Sequence, residues 1–130
     1  MAVTGSARVV LVVEDDESMR EAIGNLLSIA GFVAVAYESA EAMLSDQTSE
    51  RPICVISDLH LPAMSGLDLL TALRRRSWHP PVIFITADDM ASTRQAAERL
   101  GAAAYLAKPF PSSALLTTIE KLETTTRGPQ

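Results

Sequence analysis

The chain has 130 residues, 48% hydrophobic and 21% charged, with a formal net charge of -5, which suits one domain with its own core and no need of disulfides or structural metals. The negative sign argues against binding nucleic acid or an anionic membrane, since both recruit Lys and Arg, and it suits a protein that gathers carboxylates around a cation. The single cysteine, Cys54, excludes an intrachain disulfide and fits a reducing cytoplasm.

A polar leader at residues 1–7 precedes Val9-Val10-Leu11-Val12-Val13, a run without polar alternation that predicts a strand buried on both faces of a parallel sheet. The run stops at Glu14-Asp15-Asp16, far short of the ~18 residues of a membrane helix, so a soluble protein is expected. Met19, Ile23, Leu26, Leu27 and Ala30 recur at helical spacing, and Gly31 stands where that helix would end. A second strand is predicted over Val33 to Tyr37, then a helix capped by Ser39 that carries Ala42, Met43 and Leu44. Pro52 introduces a third strand, Ile53-Cys54-Val55-Ile56, followed by a loop and a helix with Leu67, Leu70 and Leu73. Pro80-Pro81 introduces a fourth, Val82-Ile83-Phe84-Ile85, and a helix from Ser92 to Leu100 ends at Gly101. Ala104-Tyr105-Leu106 is a short fifth strand, and Ser112 or Ser113 caps a last helix through Leu115, Leu116, Ile119 and Leu122. Residues 124–130 are polar, contain Gly and Pro, and read as a linker or tail. Five strand-helix units predict an α/β fold with a mostly parallel sheet and helices on both faces.

In open α/β sheets ligands bind beyond the carboxyl ends of the strands, so the residues after each strand are the candidates for chemistry. Strand one is followed by Glu14-Asp15-Asp16, strand three by Ser57-Asp58, strand four by Thr86-Ala87 and strand five by Ala107-Lys108-Pro109. Carboxylates held close together repel unless a cation joins them. An all-oxygen set with no His/Cys cluster suits Mg²⁺ or Mn²⁺ better than Zn²⁺. In that setting Asp58 is a candidate nucleophile for an acyl phosphate. The metal and Lys108 would neutralise charge on a transferring phosphoryl group, and Thr86 would offer a hydrogen bond. Each residue also has a plainer reading. Asp15 or Asp16 suits a helix cap, and Asp16 suits both tasks. Asp58 reads equally as a loop carboxylate, Lys108 as a solvated lysine, Thr86 as the cap of a turn, and Tyr105 as a core aromatic with its hydroxyl at the rim. Cys54 is placed mid-strand as a small hydrophobe, His60 and His79 form no zinc signature, and Arg74-Arg75-Arg76 reads as a solvated helix end.

Four segments together resemble the receiver domain of bacterial two-component response regulators. They are Val13-Glu14-Asp15-Asp16-Glu17, Ser57-Asp58-Leu59-His60-Leu61-Pro62-Ala63-Met64-Ser65-Gly66, Ile85-Thr86-Ala87 and Tyr105-Leu106-Ala107-Lys108-Pro109-Phe110, in matching order over roughly residues 8–123. The resemblance implies a doubly wound, flavodoxin-like sheet of order 2-1-3-4-5, with its switch point between strands one and three. It implies that Asp58 is the phosphoacceptor, that Asp15 and Asp16 organise Mg²⁺ with Asp58 and the backbone carbonyl of His60, and that Lys108 binds phosphate beside a cis peptide to Pro109. It further implies that Thr86 and Tyr105 report phosphorylation and that His60 and Asp88 tune the lifetime of the phosphoryl group. The implied partner is a sensor histidine kinase or phosphotransfer protein. The implied output is a repacked face of helix four, strand five and helix five that forms a homodimer or docks an effector. Residues 82–110 are similar to receivers that precede helix-turn-helix output domains, which places transcription regulation among the implied roles. Two other functions share parts of this pattern. A small Mg²⁺-dependent aspartyl-phosphate phosphatase would need a substrate cap, for which no insertion provides residues. An interaction module working without phosphorylation would not need Asp58, Lys108 or the acidic run.

Overall fold

In a computed structural model, which describes residues 8–46 and 51–127, strands and helices alternate along the chain. They are β1 (Val9–Val13), α1 (Glu17–Ile29), β2 (Val33–Tyr37), α2 (Ala40–Ser45), β3 (Cys54–Asp58), α3 (Gly66–Arg75), β4 (Val82–Thr86), α4 (Ala91–Arg99), β5 (Ala104–Ala107) and α5 (Ser112–Arg127). All neighbouring strands are parallel and the sheet order is β2-β1-β3-β4-β5. The chain therefore reverses its lateral direction after β2, and β1 and β3 flank the crevice where such sheets bind ligands. Among the described residues no helix is long and apolar enough to cross a membrane.

Alternation along each strand divides the core into two layers. Val9, Leu11, Val13, Val55 and Phe84 face Met43 of α2, Leu69, Leu70 and Leu73 of α3, and Ala97 of α4. Val10, Val12, Ile56, Ile83 and Ile85 face Ile23 and Leu27 of α1 and Leu115 and Ile119 of α5. Every residue of β1, β3 and β4 is buried, which is why these strands tolerate no polar alternation. Cys54 is buried in the α1/α5 layer.

Three helices stop in the same way. Gly31 (φ 94) and Gly101 (φ 91) turn the chain left-handed after α1 and α4, and Phe32 and Ala102 donate their N–H groups back to Leu27 and Ala97 at 2.9 and 3.0 Å. After α3 the left-handed place is held by Ser77 (φ 59), with Trp78 donating to Leu73 at 3.0 Å. Helix starts are capped by Asp16, by Ser39 as the sequence predicts, and by a reciprocal Ser65–Asp68 pair.

Several boundaries differ from the sequence reading. β3 starts at Cys54 and runs through Asp58, because Ser57 and Asp58 pair with Phe84 and Ile85 of β4. α4 starts at Ala91 with no side-chain cap. Ser112 and Ser113 lie inside α5, whose first turn is closed by Ala114 N–H on the Pro111 carbonyl at 3.0 Å. α5 continues to Arg127, beyond residue 123 where the sequence reading ended the domain. The predicted leader at residues 1–7 and the end of the predicted tail at 128–130 lie outside the described residues. Arg8, just ahead of β1, grips Glu123 of α5 with Nε and a terminal nitrogen, both at 2.8 Å, and stacks 4.2 Å above the Phe32 ring.

Candidate functional site

The carboxyl ends of β1, β3 and β5 meet at one ammonium group. Lys108 Nζ donates to Asp58 Oδ2 at 2.9 Å and to Glu14 Oε1 at 3.0 Å. These contacts join residues 50 and 94 positions apart in sequence. The Asp58 carboxylate is oriented by the His60 N–H, which donates to Oδ1 at 2.9 Å. Glu14 is oriented by the Asp16 N–H, which donates to Oε2 at 3.1 Å. The Lys108-Pro109 peptide is cis, as the resemblance implies, and the Lys108 N–H donates to the Thr86 carbonyl at 2.7 Å.

Glu14 is 1% exposed and Asp58 7%, whereas Asp15 is exposed, and carboxylate oxygens of all three lie within 4.8 Å of one another. Burial pushes the Glu14 carboxyl above its ordinary range and the charge of Asp58 adds to this, against the Lys108 and Asp16 hydrogen bonds. For Lys108 burial works to lower the value, but bonds to Asp58 and Glu14 outweigh it and hold the ammonium above its usual range. With all three carboxylates ionised, one lysine leaves two negative charges uncompensated, which matches a single divalent cation. The oxygen-only donor set, closed on one side and open at Asp15, fits Mg²⁺ or Mn²⁺ with coordination positions left for water or phosphate oxygens.

Of the acidic pair expected around the metal, the structure brings Asp15 into the cluster and not Asp16. Asp16 sits at the entry to α1, and its Oδ2 accepts the Met19 N–H at 2.8 Å, satisfying a helix-terminal donor. Glu14 stands in the cluster instead. The signal that could have found it is its place directly after β1, at the sheet edge. A second residue without a predicted task is Gly66, the first of α3, whose absent side chain leaves room for the carbonyl of Asp58.

Thr86 is fully buried at the end of β4, where its Oγ1 accepts the Asp88 N–H at 3.0 Å and closes the turn into α4. The turn-capping reading of Thr86 thus describes this conformation. Asp88 also approaches His60, Oδ2 to Nε2 at 3.8 Å, so the two residues face each other from the loops leaving β3 and β4. Tyr105 differs from the expected rim position. Its hydroxyl is buried and has no hydrogen-bond partner among the described residues. Burial raises its pKa and the charge of Asp89 adds to this, while Arg94 opposes. The Arg94 guanidinium lies 4.4 Å from the ring centroid.

The chain as a whole is similar to known proteins in sequence and fold. A family model described as response regulator receiver domain matches residues 10–120. The response regulator protein FleR of Pseudomonas aeruginosa is 43% identical over 112 residues, which cover 86% of this chain and 24% of FleR. Nodulation protein W of Bradyrhizobium diazoefficiens is 40% identical over 111 residues, 85% of this chain and 49% of that protein. Among solved structures, FixJ-N matches with a TM-score of 0.84 at 29% identity, covering 93% of this chain and 97% of FixJ-N. Vibrio cholerae chemotaxis protein CheY4 matches with a TM-score of 0.83 at 27% identity, covering 90% of this chain and 99% of CheY4. The chain thus spans about a quarter to a half of these curated relatives, and nearly the whole of the solved domains.

Proposed function

The chain belongs to the response regulator receiver domain family, and on that premise we propose that it is a two-component switch phosphorylated on Asp58 by a histidine kinase or phosphotransfer protein in the bacterial cytoplasm. The observation that carries this reading is the Lys108 ammonium shared between Asp58 and Glu14 at the carboxyl edge of the sheet. An Asp58 carboxylate oxygen attacks phosphorus, the P–N bond of the donor phosphohistidine breaks, and the imidazole leaves as the acyl phosphate forms. The His60 N–H fixes the orientation of the attacking carboxylate, and Lys108 meets charge on the transferred oxygens. A Mg²⁺ or Mn²⁺ held by Glu14, Asp15, Asp58 and the His60 carbonyl would neutralise the remaining charge. Asp16 is left out of this set because its carboxylate caps α1. Water later cleaves the acyl phosphate, and His60 and Asp88, facing each other from the β3 and β4 loops, are the side chains placed to set how readily it enters.

The new dianion adds about −1.5 to −2 charges, by analogy with phosphoserine. Thr86 exchanges its bond to Asp88 for a phosphoryl oxygen, and the face of α4, β5 and α5 repacks to form a homodimer or dock an effector. Driving such a face from 1:99 to 99:1 takes about 5.5 kcal/mol of differential stabilisation.

The test is intact mass after incubation with Mg²⁺ and a small-molecule phosphodonor, beside Asp58→Asn. One Mg²⁺-dependent phosphoryl adduct, missing from the variant, is the expected result. An unmodified chain, under conditions that label an established receiver, would favour the interaction module that works without phosphorylation.

A further inference from the structure

Glu14 and Asp15 lie in a gap between two regular elements. Toward β2, the β1 ladder ends on the Glu14 N–H, which donates to the Tyr37 carbonyl at 3.1 Å. α1 opens on the Asp16 carbonyl, which accepts the Arg20 N–H at 2.9 Å. The carbonyls of Glu14 and Asp15 stand between these two bonds. From the end of the first turn of α1, one terminal nitrogen of Arg20 reaches back to both, donating to Glu14 at 2.8 Å and to Asp15 at 3.5 Å. Acidic residues crowd this stretch, with Glu14 to Glu17 before Arg20 and Glu21 after it. Even so, Arg20 makes no ion pair among the described residues. It acts on the backbone. Backbone direction matters here, because turning either peptide plane swings the carboxylate beside it.

We propose that Arg20 is a positioning residue of the cation site, holding the Glu14 and Asp15 carbonyls so that both carboxylates meet Asp58 within 4.8 Å. The inference rests on the metal-site reading above and adds to it a residue outside the carboxylate set. Charge and position predict opposite signs. A positive charge beside a cation site repels the cation, so a guanidinium acting through its charge alone weakens the site, and removing it tightens binding. A guanidinium acting through the carbonyls strengthens the site. Removing it leaves two carboxylates to be ordered by the ion itself, and affinity falls. Groups that orient metal ligands contribute about ten- to hundredfold in affinity. Arg20 belongs at the low end, because it is only half-buried and its second bond is long.

The experiment is a Mn²⁺ titration of the whole chain, read by the electron paramagnetic resonance signal of the free ion, with no phosphodonor present. Arg20→Met keeps an unbranched apolar stem and removes the donors and the charge together. It should raise the Mn²⁺ Kd about tenfold. Arg20→Lys replaces a fork of donors with one ammonium, but a single nitrogen serves both carbonyls here, so lysine should recover most of the loss. Competition with Mg²⁺ should rank the three proteins in the same order. Far-UV circular dichroism reports that each variant is folded at the temperature of the titration. An unchanged or lower Kd in Arg20→Met overturns the inference and leaves Arg20 a neighbouring charge. A raised Kd without recovery in Arg20→Lys overturns the carbonyl bonds as its cause. A wild-type chain that leaves the Mn²⁺ signal undiminished overturns the metal-site reading, and this inference with it.

Discussion

Gly66 and Gly24 are both helical glycines, and replacing each with alanine should have opposite results. A Cβ on Gly24, in α1, meets nothing within 4 Å, so Gly24→Ala should gain about 0.5–1 kcal/mol from reduced backbone entropy alone. A Cβ on Gly66 falls 2.5 Å from the Asp58 carbonyl oxygen and 3.0 Å from both Leu59 Cα and Phe84 Cε1, where ordinary contact begins at 3.4 Å. Two of these three atoms are backbone, and Phe84 is fully buried, so no flexible side-chain end can yield. Overpacking of this kind costs about 1–3 kcal/mol, which puts the two variants roughly 1.5–4 kcal/mol apart. Urea unfolding of both proteins measures that gap directly. The chemistry should suffer as well, because the β3–α3 junction must open by about 0.9 Å to reach ordinary contact. A displacement near 1 Å at a reacting group lowers a rate by roughly a hundredfold, to be read as slower adduct formation on Asp58 by timed mass spectrometry. Equal stability of the two alanine variants would refute the crowding. Lost stability with an unchanged phosphorylation rate would show that the carboxylate does not follow its own carbonyl.

Glu14→Gln should stabilise the metal-free chain increasingly as pH rises above 4.5. The folded carboxyl titrates above that unfolded value, so its ionisation costs stability as pH rises through the folded value, and urea midpoints at pH 4 and pH 7 give the sign. The same variant should lose much of the stabilisation by Mg²⁺, which for the wild type is about 1.4 kcal/mol at a tenfold excess over Kd; an equal response of both proteins would remove Glu14 from the metal site. Lys108→Met strands the buried Glu14 and should destabilise by about 2–4 kcal/mol near neutrality, with a smaller deficit in thermal unfolding at pH 4, where Glu14 takes a proton. Ser77→Gly, at the left-handed position after α3 (φ 59), should stabilise by about 0.5–1 kcal/mol, and an unchanged melting temperature would mean that the serine bears no strain there.

What was legible in the sequence follows from what each pattern encodes. Uninterrupted apolar runs and glycine stops have local causes, so β1, β4, Gly31 and Gly101 stand where they were expected. Ser57 and Asp58 look like loop residues because their polarity hides a role decided by pairing with Phe84 and Ile85. The meeting of Glu14, Asp15, Asp58 and Lys108 at one sheet edge was legible in outline, since strand ends converge in any sheet of this order. The division of tasks within Glu14-Asp15-Asp16 was not. It depends on where α1 begins and which carboxylate its free N–H groups claim, a choice that composition leaves open. Arg94 carried no signal, because its partners Asp89 and Tyr105 share neither a motif nor a periodicity with it. Ser77 escaped notice because a left-handed serine cannot be told from any other serine by its letter.

The Arg8–Glu123 fork brings the opening of the first strand and the closing stretch of the last helix within one ion pair of each other. The path of the chain from β1 to α5 therefore returns close to where it started. A chain joined at this point and reopened in an exposed turn far from the acidic edge should keep the same sheet, the same lysine and the same carboxylates in place, because their meeting rests on the packing of the elements and not on the order in which they are synthesised.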